Sequence, residues 1–100
     1  MEKHKQVLDY IAEQFGVDKN YYNNKSRYKQ YIMPRKMACW ALYIVGGITM
    51  EEVAKIIGYA EHSTVQHHIH DYWNMCLSDD DFKAKGETVY SKSIEIYETN

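Results

Sequence analysis

The stretch TMEEVAKIIGYAEHSTVQHHI, residues 49–69, decides the fold. It opens with Thr49 and, three residues later, Glu52, the spacing of a capping box, in which a hydroxyl and a carboxylate satisfy the free amides of a helix start. The apolar positions of 53–57 follow helical spacing for barely two turns and stop at Gly58, a residue suited to the left-handed conformation that ends helices. We therefore expect a short helix that is held by packing more than by its own propensity.

A longer helix is predicted directly behind the first. Ser63 and Gln66 repeat the capping-box spacing, so this helix should begin at His62 or Ser63. Its core-facing stripe consists of Val65, Ile69, Tyr72 and Cys76. A two-turn helix, a glycine turn and a helix that starts with small polar residues have the layout of a helix-turn-helix over residues 49–77, whose second helix enters a major groove of DNA.

The rest of the chain also follows helical patterns, and no segment alternates as a strand. An apolar stripe at helical spacing predicts a first helix within residues 1–17. Pro34 is placed to open the next helix, which is the most apolar one. Acidic residues suit the start of a last helix or arm in 78–100, which Gly86 should weaken. The sequence thus predicts a single all-α domain of five to six helices over residues 1–100.

Length and composition exclude several classes of protein. A chain of 100 residues with 45% hydrophobic and 26% charged residues has the balance of one globular domain. The longest uncharged run, residues 37–50, is too short to span a bilayer, so no membrane association is predicted. Cys39 and Cys76 lie in apolar helical stretches with no secretory segment before them, which predicts two reduced, buried thiols and a cytoplasmic protein, associated with the nucleoid if it binds DNA.

The formal net charge of -2 hides a division along the chain. Residues 1–36 hold eight basic and four acidic side chains, whereas residues 37–100 hold four basic and ten acidic ones. The window 19–36 contains six cations and no acid, and its Asn, Ser and Lys content predicts that it is largely loop. This basic region can hold a polyanion, although a solvated surface loop without a partner is the simpler interpretation.

These features together resemble a known family. The residues Pro34-Arg35-Lys36-Met37-Ala38, the capped helix ending at Gly58, and Glu61-His62-Ser63-Thr64-Val65 are similar in order and spacing to the C-terminal DNA-binding domain, domain IV, of the bacterial replication initiator DnaA. The likeness runs from the first helix to about Leu77. It implies a Trp-repressor-like helix-turn-helix fold and sequence-preferring binding of double-stranded, DnaA-box-like DNA. It also implies a role in regulating replication initiation or transcription.

The resemblance further implies which residues contact DNA. Glu61, His62, Ser63 and Thr64 begin the recognition helix and read bases in the major groove, and physical chemistry agrees, because Thr64 can meet a thymine methyl and His62 a purine edge. Arg27 enters the adjacent minor groove, whose narrow, negative form favours arginine. The remaining predicted contacts, made mainly to backbone phosphates, come from Lys25, Lys29, Arg35, Lys36 and His67.

Departures from the family pattern bear on affinity and specificity. The family usually has aspartate where this chain has Glu61 and arginine where it has Ala60. The longer side chain of Glu61 moves the carboxylate that accepts from a base, so the preferred sequence need not be the standard DnaA box, and the affinity is expected to be lower. No Gly-x-x-x-x-Gly-Lys-Ser/Thr loop occurs in the sequence. We therefore expect no nucleotide binding and no motor, and a domain that acts as a stand-alone protein.

Other interpretations remain open. The main alternative is a protein-interaction module that kept the fold but lost DNA binding, with the replication initiator or another protein as its partner; the charge of -6 on residues 37–100 supports it. Tyrosines in the basic region can stack on single-stranded bases or, more simply, pack on the domain. Those tyrosines are Tyr21, Tyr22, Tyr28 and Tyr31.

The histidines and acidic residues do not indicate a metal site or a catalytic site. Four histidines invite a zinc hypothesis, but helical geometry spreads them over different faces, so no metal or other cofactor is predicted. They are His62, His67, His68 and His70. No nucleophile with an identifiable base and no paired catalytic carboxylates stand out, so no enzymatic activity is predicted.

Overall fold

The computed structural model describes residues 2–23 and 29–99, except for the side chain of Lys29, and the regular structure in these ranges is entirely helical. Five α-helices follow in chain order: α1 Glu2–Phe15, α2 Lys29–Trp40, α3 Met50–Ile57, α4 His62–Ser78 and α5 Asp80–Glu98. A π-helical turn, Ala41–Val45, continues α2 without a break. The predicted all-α fold is confirmed. In the described part of the chain, no helix combines the length and apolar character that a membrane span requires.

The first helix has its predicted apolar stripe inside the core. Val7, Leu8, Ile11 and Ala12 are buried, and α1 packs against α2 and α5. The chain returns to this core at Tyr21, which is fully buried and donates from its hydroxyl to the Leu8 carbonyl oxygen at 3.0 Å. The segment that precedes α2 is therefore anchored on α1 through a buried tyrosine.

The second helix starts earlier than the sequence predicts. The expected start at Pro34 is wrong, because α2 begins at Lys29 and encloses the proline. Pro34 has no amide to donate within the helix, but Tyr31 and Met33 pack against the core and hold the turn before it. The second half of the window 19–36, predicted as loop, is therefore part of a packed helix.

The last helix completes the core instead of forming a weak arm. Phe82, Val89 and Ile96 are buried, and α5 packs against α1 and α4. Gly86, which the sequence predicts to weaken this helix, is buried where α5 meets α4, and a Cβ added there would overlap the Tyr72 hydroxyl. The missing side chain allows the two helices to approach closely.

The two cysteines differ in their surroundings. Cys39 is buried in the core as predicted, and burial raises the pKa of its thiol to about 12. Cys76 is only partly buried, so the prediction of a second buried thiol is wrong. It packs against the edge of the core and lines a groove at the surface.

Candidate nucleic-acid interface

The helix-turn-helix consists of α3, a short turn and α4. The hydroxyl of Thr49 accepts from the Glu52 amide at 3.1 Å, so this half of the predicted capping box is confirmed. The Glu52 carboxylate accepts from the Thr49 hydroxyl at 3.2 Å instead of from a backbone amide. α3 ends at Gly58, whose φ of 94° lies in the left-handed region. The amides of Gly58 and Tyr59 both donate to the Ala54 carbonyl oxygen at 2.8 Å. This tight turn fixes the direction in which α4 leaves.

The recognition helix begins at His62, as predicted, but its cap differs from the prediction. Glu61 is the capping residue, with an extended backbone, and its side chain makes no capping hydrogen bond. Ser63 lies inside the first turn and donates to the Glu61 carboxylate at 3.3 Å, so the predicted capping by Ser63 is wrong. Without a side-chain cap, the positive end of the α4 dipole is available to an acceptor on DNA.

α4 has a core face and an outer face. Val65, Ile69 and Tyr72 are buried against the other helices. The outer side carries exposed Glu61, His62, Gln66, His67 and His70, with Ser63 and Thr64 half-buried. The structure therefore brings the four predicted base-reading residues together at one helix start, with His67 about one turn further along.

Arg35 has a structural role that the sequence did not indicate. Only 7% of it is exposed, and its Nε donates to the Tyr21 carbonyl oxygen at 3.1 Å. Arg35 thus ties the segment before α2 to that helix, and its contact with DNA stays a prediction. The predicted contacts at Lys25 and Arg27 lie outside the described residues, as does the side chain of Lys29.

Lys36 is paired with an acid on the recognition helix. Its Nζ lies 2.7 Å from Asp71 Oδ2, and only 16% of the Lys36 side chain is exposed. The hydrogen bond from Lys36 holds the pKa of Asp71 below its usual range. Asp71 therefore competes with DNA phosphates for a cation that the sequence predicts as a phosphate contact.

We expect Asp71→Asn to strengthen DNA binding, because it releases Lys36 and removes a negative charge from the interface. The affinity should rise roughly threefold to fivefold at low salt, as for an ion pair worth up to about 1 kcal/mol. The slope of log K against log salt should become more negative by about 0.9, as for one more phosphate contact. Fluorescence anisotropy at several salt concentrations measures both. Asp81→Asn on α5 removes the same charge elsewhere and should change neither; equal effects of the two variants would contradict the assignment.

A cleft of about 610 Å³ lies beside the start of α4. Arg35, Tyr59, Thr64 and His68 contribute to its lining. The Tyr59 hydroxyl is 2.9 Å from His68 Nε2, and burial lowers the pKa of His68 to about 4 while it raises the pKa of Tyr59 to about 12. Both side chains are therefore neutral near pH 7, and His68 adds no positive charge to the interface.

The buried imidazole of His68 should make stability depend on pH. Its folded-state pKa of about 4 lies below the ordinary value of 6.5, so folding favours the neutral form. The corresponding stabilisation is complete above pH 6.5 and is lost as the pH falls toward 4. Thermal unfolding of the protein and of His68→Gln across this range should show a steeper decline for the unsubstituted chain. Parallel curves would exclude His68 as the source of the decline.

Sequence reasoning missed Asp71, Tyr59 and His68. A signal was present for two of them, because Thr64, His68 and Asp71 follow one another by four and three positions and therefore share a face of α4. Tyr59 follows the helix-ending Gly58, and no local pattern links it to His68. Its role depends on the angle between α3 and α4, which spacing alone does not give.

The structure also bears on the hypotheses of single-strand stacking and of a zinc site. Tyr21, Tyr22 and Tyr31 all pack on the core, which confirms the packing interpretation for them, while Tyr28 lies outside the described residues. Within residues 2–23 and 29–99, histidine, cysteine and acidic side chains form no group of three or more that could hold a metal ion.

Comparisons with known proteins give a consistent picture. The family model described as bacterial dnaA protein helix-turn-helix matches residues 4–71. A chromosomal replication initiator protein DnaA from Geobacter sp. (strain M21) is 26% identical over 82 residues, which cover 82% of this chain and 18% of that protein. A crystal structure of a DNA replication initiation factor shares the fold, with a TM-score of 0.82 at 20% identity over 94% of this chain and 29% of that one. The chain thus spans less than a third of either protein.

Proposed function

The chain belongs to the bacterial DnaA helix-turn-helix family, and from this premise we propose that it binds double-stranded DNA with a sequence preference, through the start of α4 and the adjoining basic region. The main support for the proposal is the arrangement of polar residues on the outer side of α4. Four polar residues, 61–64, lie together on its first turn, directly after the left-handed turn at Gly58. A helix start of this kind fits the major groove.

Base recognition is assigned to the first turn of α4. The imidazole of His62 donates or accepts at a purine edge, and Thr64 offers both a hydroxyl and a methyl to a thymine. The Glu61 carboxylate accepts from a cytosine amine, and its hydrogen bond from Ser63 at 3.3 Å holds it beside the helix start. The sequence preference then resides in three or four neighbouring side chains.

Phosphate binding is assigned to the basic region before and within α2. Lys25 and Lys29 contact the backbone, and Arg27 enters the minor groove next to the bases that α4 reads. Lys36 joins them when its pair with Asp71 opens. Exposed Glu51 and Glu61 work against these cations, so binding is weaker and less steeply salt-dependent than an all-basic interface would give.

A role in replication follows from the relatives. The similar protein from Geobacter is named as a chromosomal replication initiator, and this chain matches the part that the family model describes as a helix-turn-helix. We therefore assign the chain to the control of replication initiation or transcription, by occupying DnaA-box-like sites on nucleoid DNA. The assigned role is binding and includes no catalytic step.

Fluorescence anisotropy with three labelled DNAs tests the proposal: a DnaA-box duplex, a duplex of the same composition in shuffled order, and a single strand. Duplex binding should weaken with salt with a log-log slope of about -3 to -5, as for a handful of phosphate contacts, and the box should bind more tightly than the shuffled duplex. Arg27→Ala should reduce duplex binding, whereas Lys92→Ala, which removes a cation from α5, should not. The absence of duplex binding at low salt would reject the proposal in favour of a protein-interaction module.

A further inference from the structure

The far end of α4 carries an exposed apolar patch that DNA binding does not explain. Among the described residues, the large hydrophobic side chains with the greatest exposure are Ile44, Trp73, Leu77 and Tyr90, at 46%, 51%, 88% and 45%. We call these four residues the apolar patch. Contiguous exposed apolar surface marks a contact site, whereas apolar side chains that are exposed singly are normal.

Three of the four residues of the apolar patch line a groove. Ile44, Trp73 and Tyr90 line a groove of about 570 Å³ between α4 and α5. Its base is rigid, because Trp40 and Tyr72 stack with ring centroids 4.1 Å apart and Trp73 meets Trp40 edge-on at 6.2 Å. Aromatic side chains that are already ordered lose little entropy when a partner covers them, which makes them effective anchors.

The charges around the groove indicate what covers it. The charged side chains in its lining are Lys83 and Glu87, one helical turn apart on α5, so the surface has no excess of positive charge for nucleic acid. Consider two copies of the chain whose α5 helices lie antiparallel, related by a two-fold axis that passes between Lys83 and Glu87. Lys83 of each copy then lies opposite Glu87 of the other. One patch then forms two ion pairs with itself, which is the complementarity that a symmetric contact requires.

We propose that this groove is a self-association surface, through which two copies of the chain form a two-fold dimer that covers Trp73 and Tyr90. The contact leaves the DNA interface free. Trp73 follows His62 by eleven residues on α4, which corresponds to roughly 16 Å of helix. The dimer therefore presents two recognition helices, each able to hold its own DNA site.

Sedimentation equilibrium of the whole chain measures the association. The concentration should run from micromolar to roughly 1 mM, because a dimer held by one small groove is expected to be weak. The average mass should rise from 11.9 kDa toward twice that value. Trp73→Glu should abolish the rise, whereas Gln6→Glu, which adds the same charge at an exposed position of α1, should leave it unchanged. A constant monomer mass over the whole range, or an unchanged rise in Trp73→Glu, would overturn the proposal.

A charge exchange distinguishes a two-fold dimer from any other association. Lys83→Glu and Glu87→Lys, made singly, place like charges opposite each other and should each weaken the dimer several-fold. The double variant restores opposite charges on both sides and should recover the original association. This result is independent of folding defects at Trp73, and single variants without effect, or a double variant weaker than both, would overturn the two-fold arrangement.

Discussion

Replacing both His62 and Thr64 with alanine should remove the preference for the cognate duplex while leaving salt-dependent binding to any duplex. Both side chains lie on the first turn of α4, outside the core, and the N-cap residue is Glu61. A good base contact contributes about 1–3 kcal/mol of discrimination, so the two together should be worth roughly a hundredfold in affinity for the preferred site. The phosphate contacts remain, because they come from the basic region.

The measurement is anisotropy competition between the preferred and the shuffled duplex. The variant should bind both with the affinity that the original protein has for the shuffled one, and with an unchanged salt slope. Thr88→Ala on the exposed face of α5 provides a matched control and should keep the preference. An equal loss on both duplexes would show instead that these residues support general binding, and no loss would remove α4 from the recognition surface.

The helix-turn-helix was predictable because its signals are local. Thr49 with Glu52, and Gly58 with its positive φ, each act within a few residues, so the sequence carries the position of α3 and of the turn. The start of α4 was predictable for the same reason, although its cap was not. Ser63 and Gln66 have the right spacing, but the turn places Glu61, two positions before Ser63, at the N-cap.

The features that the sequence did not predict depend on contacts between distant residues. Pro34 prefers the first turn of a helix, yet packing of Tyr31 and Met33 extends α2 back to Lys29. Arg35 belongs to a basic window, yet it is buried and donates a hydrogen bond to the carbonyl oxygen of Tyr21. In both cases tertiary contacts outweigh a local preference, which for a proline in a helix interior is about 3 kcal/mol.

Asp71 shows how the same limit applies to the site. Its distance from Lys36 is 35 positions along the chain, and only the packing of α2 on α4 brings the two together. The sequence therefore identifies the cations of the basic region, but it does not show which of them are already paired with an acid of the protein. Of the predicted DNA-contacting cations whose side chains the structure describes, Arg35 and Lys36 are both engaged within the protein.

Gly86→Ala should destabilise the fold, although the same change in most helices is stabilising. Alanine gains about 1 kcal/mol over glycine in a helix interior. Here the new Cβ would overlap the Tyr72 hydroxyl and lie 3.2 Å from Tyr72 Cζ. Tyr72 cannot move aside easily, because it is 3% exposed and its ring is stacked on Trp40 at 4.1 Å.

Overpacking of a tight core costs about 1–3 kcal/mol, so after the gain of about 1 kcal/mol in helix propensity the net loss for Gly86→Ala should be about 1 kcal/mol, or roughly 4–8 °C in Tm for a domain of this size. Tyr72→Phe removes the overlapping oxygen, so in the Gly86→Ala background it should recover part of the loss, while in the original protein it should have little effect or a small cost. Thr88→Ala, two positions along α5 and exposed, should gain slightly from propensity alone. Thermal unfolding of these variants separates helix propensity from the steric contact between α4 and α5. A higher Tm for Gly86→Ala would mean that propensity outweighs the contact. The close approach of α4 and α5 would then not explain the glycine at this position.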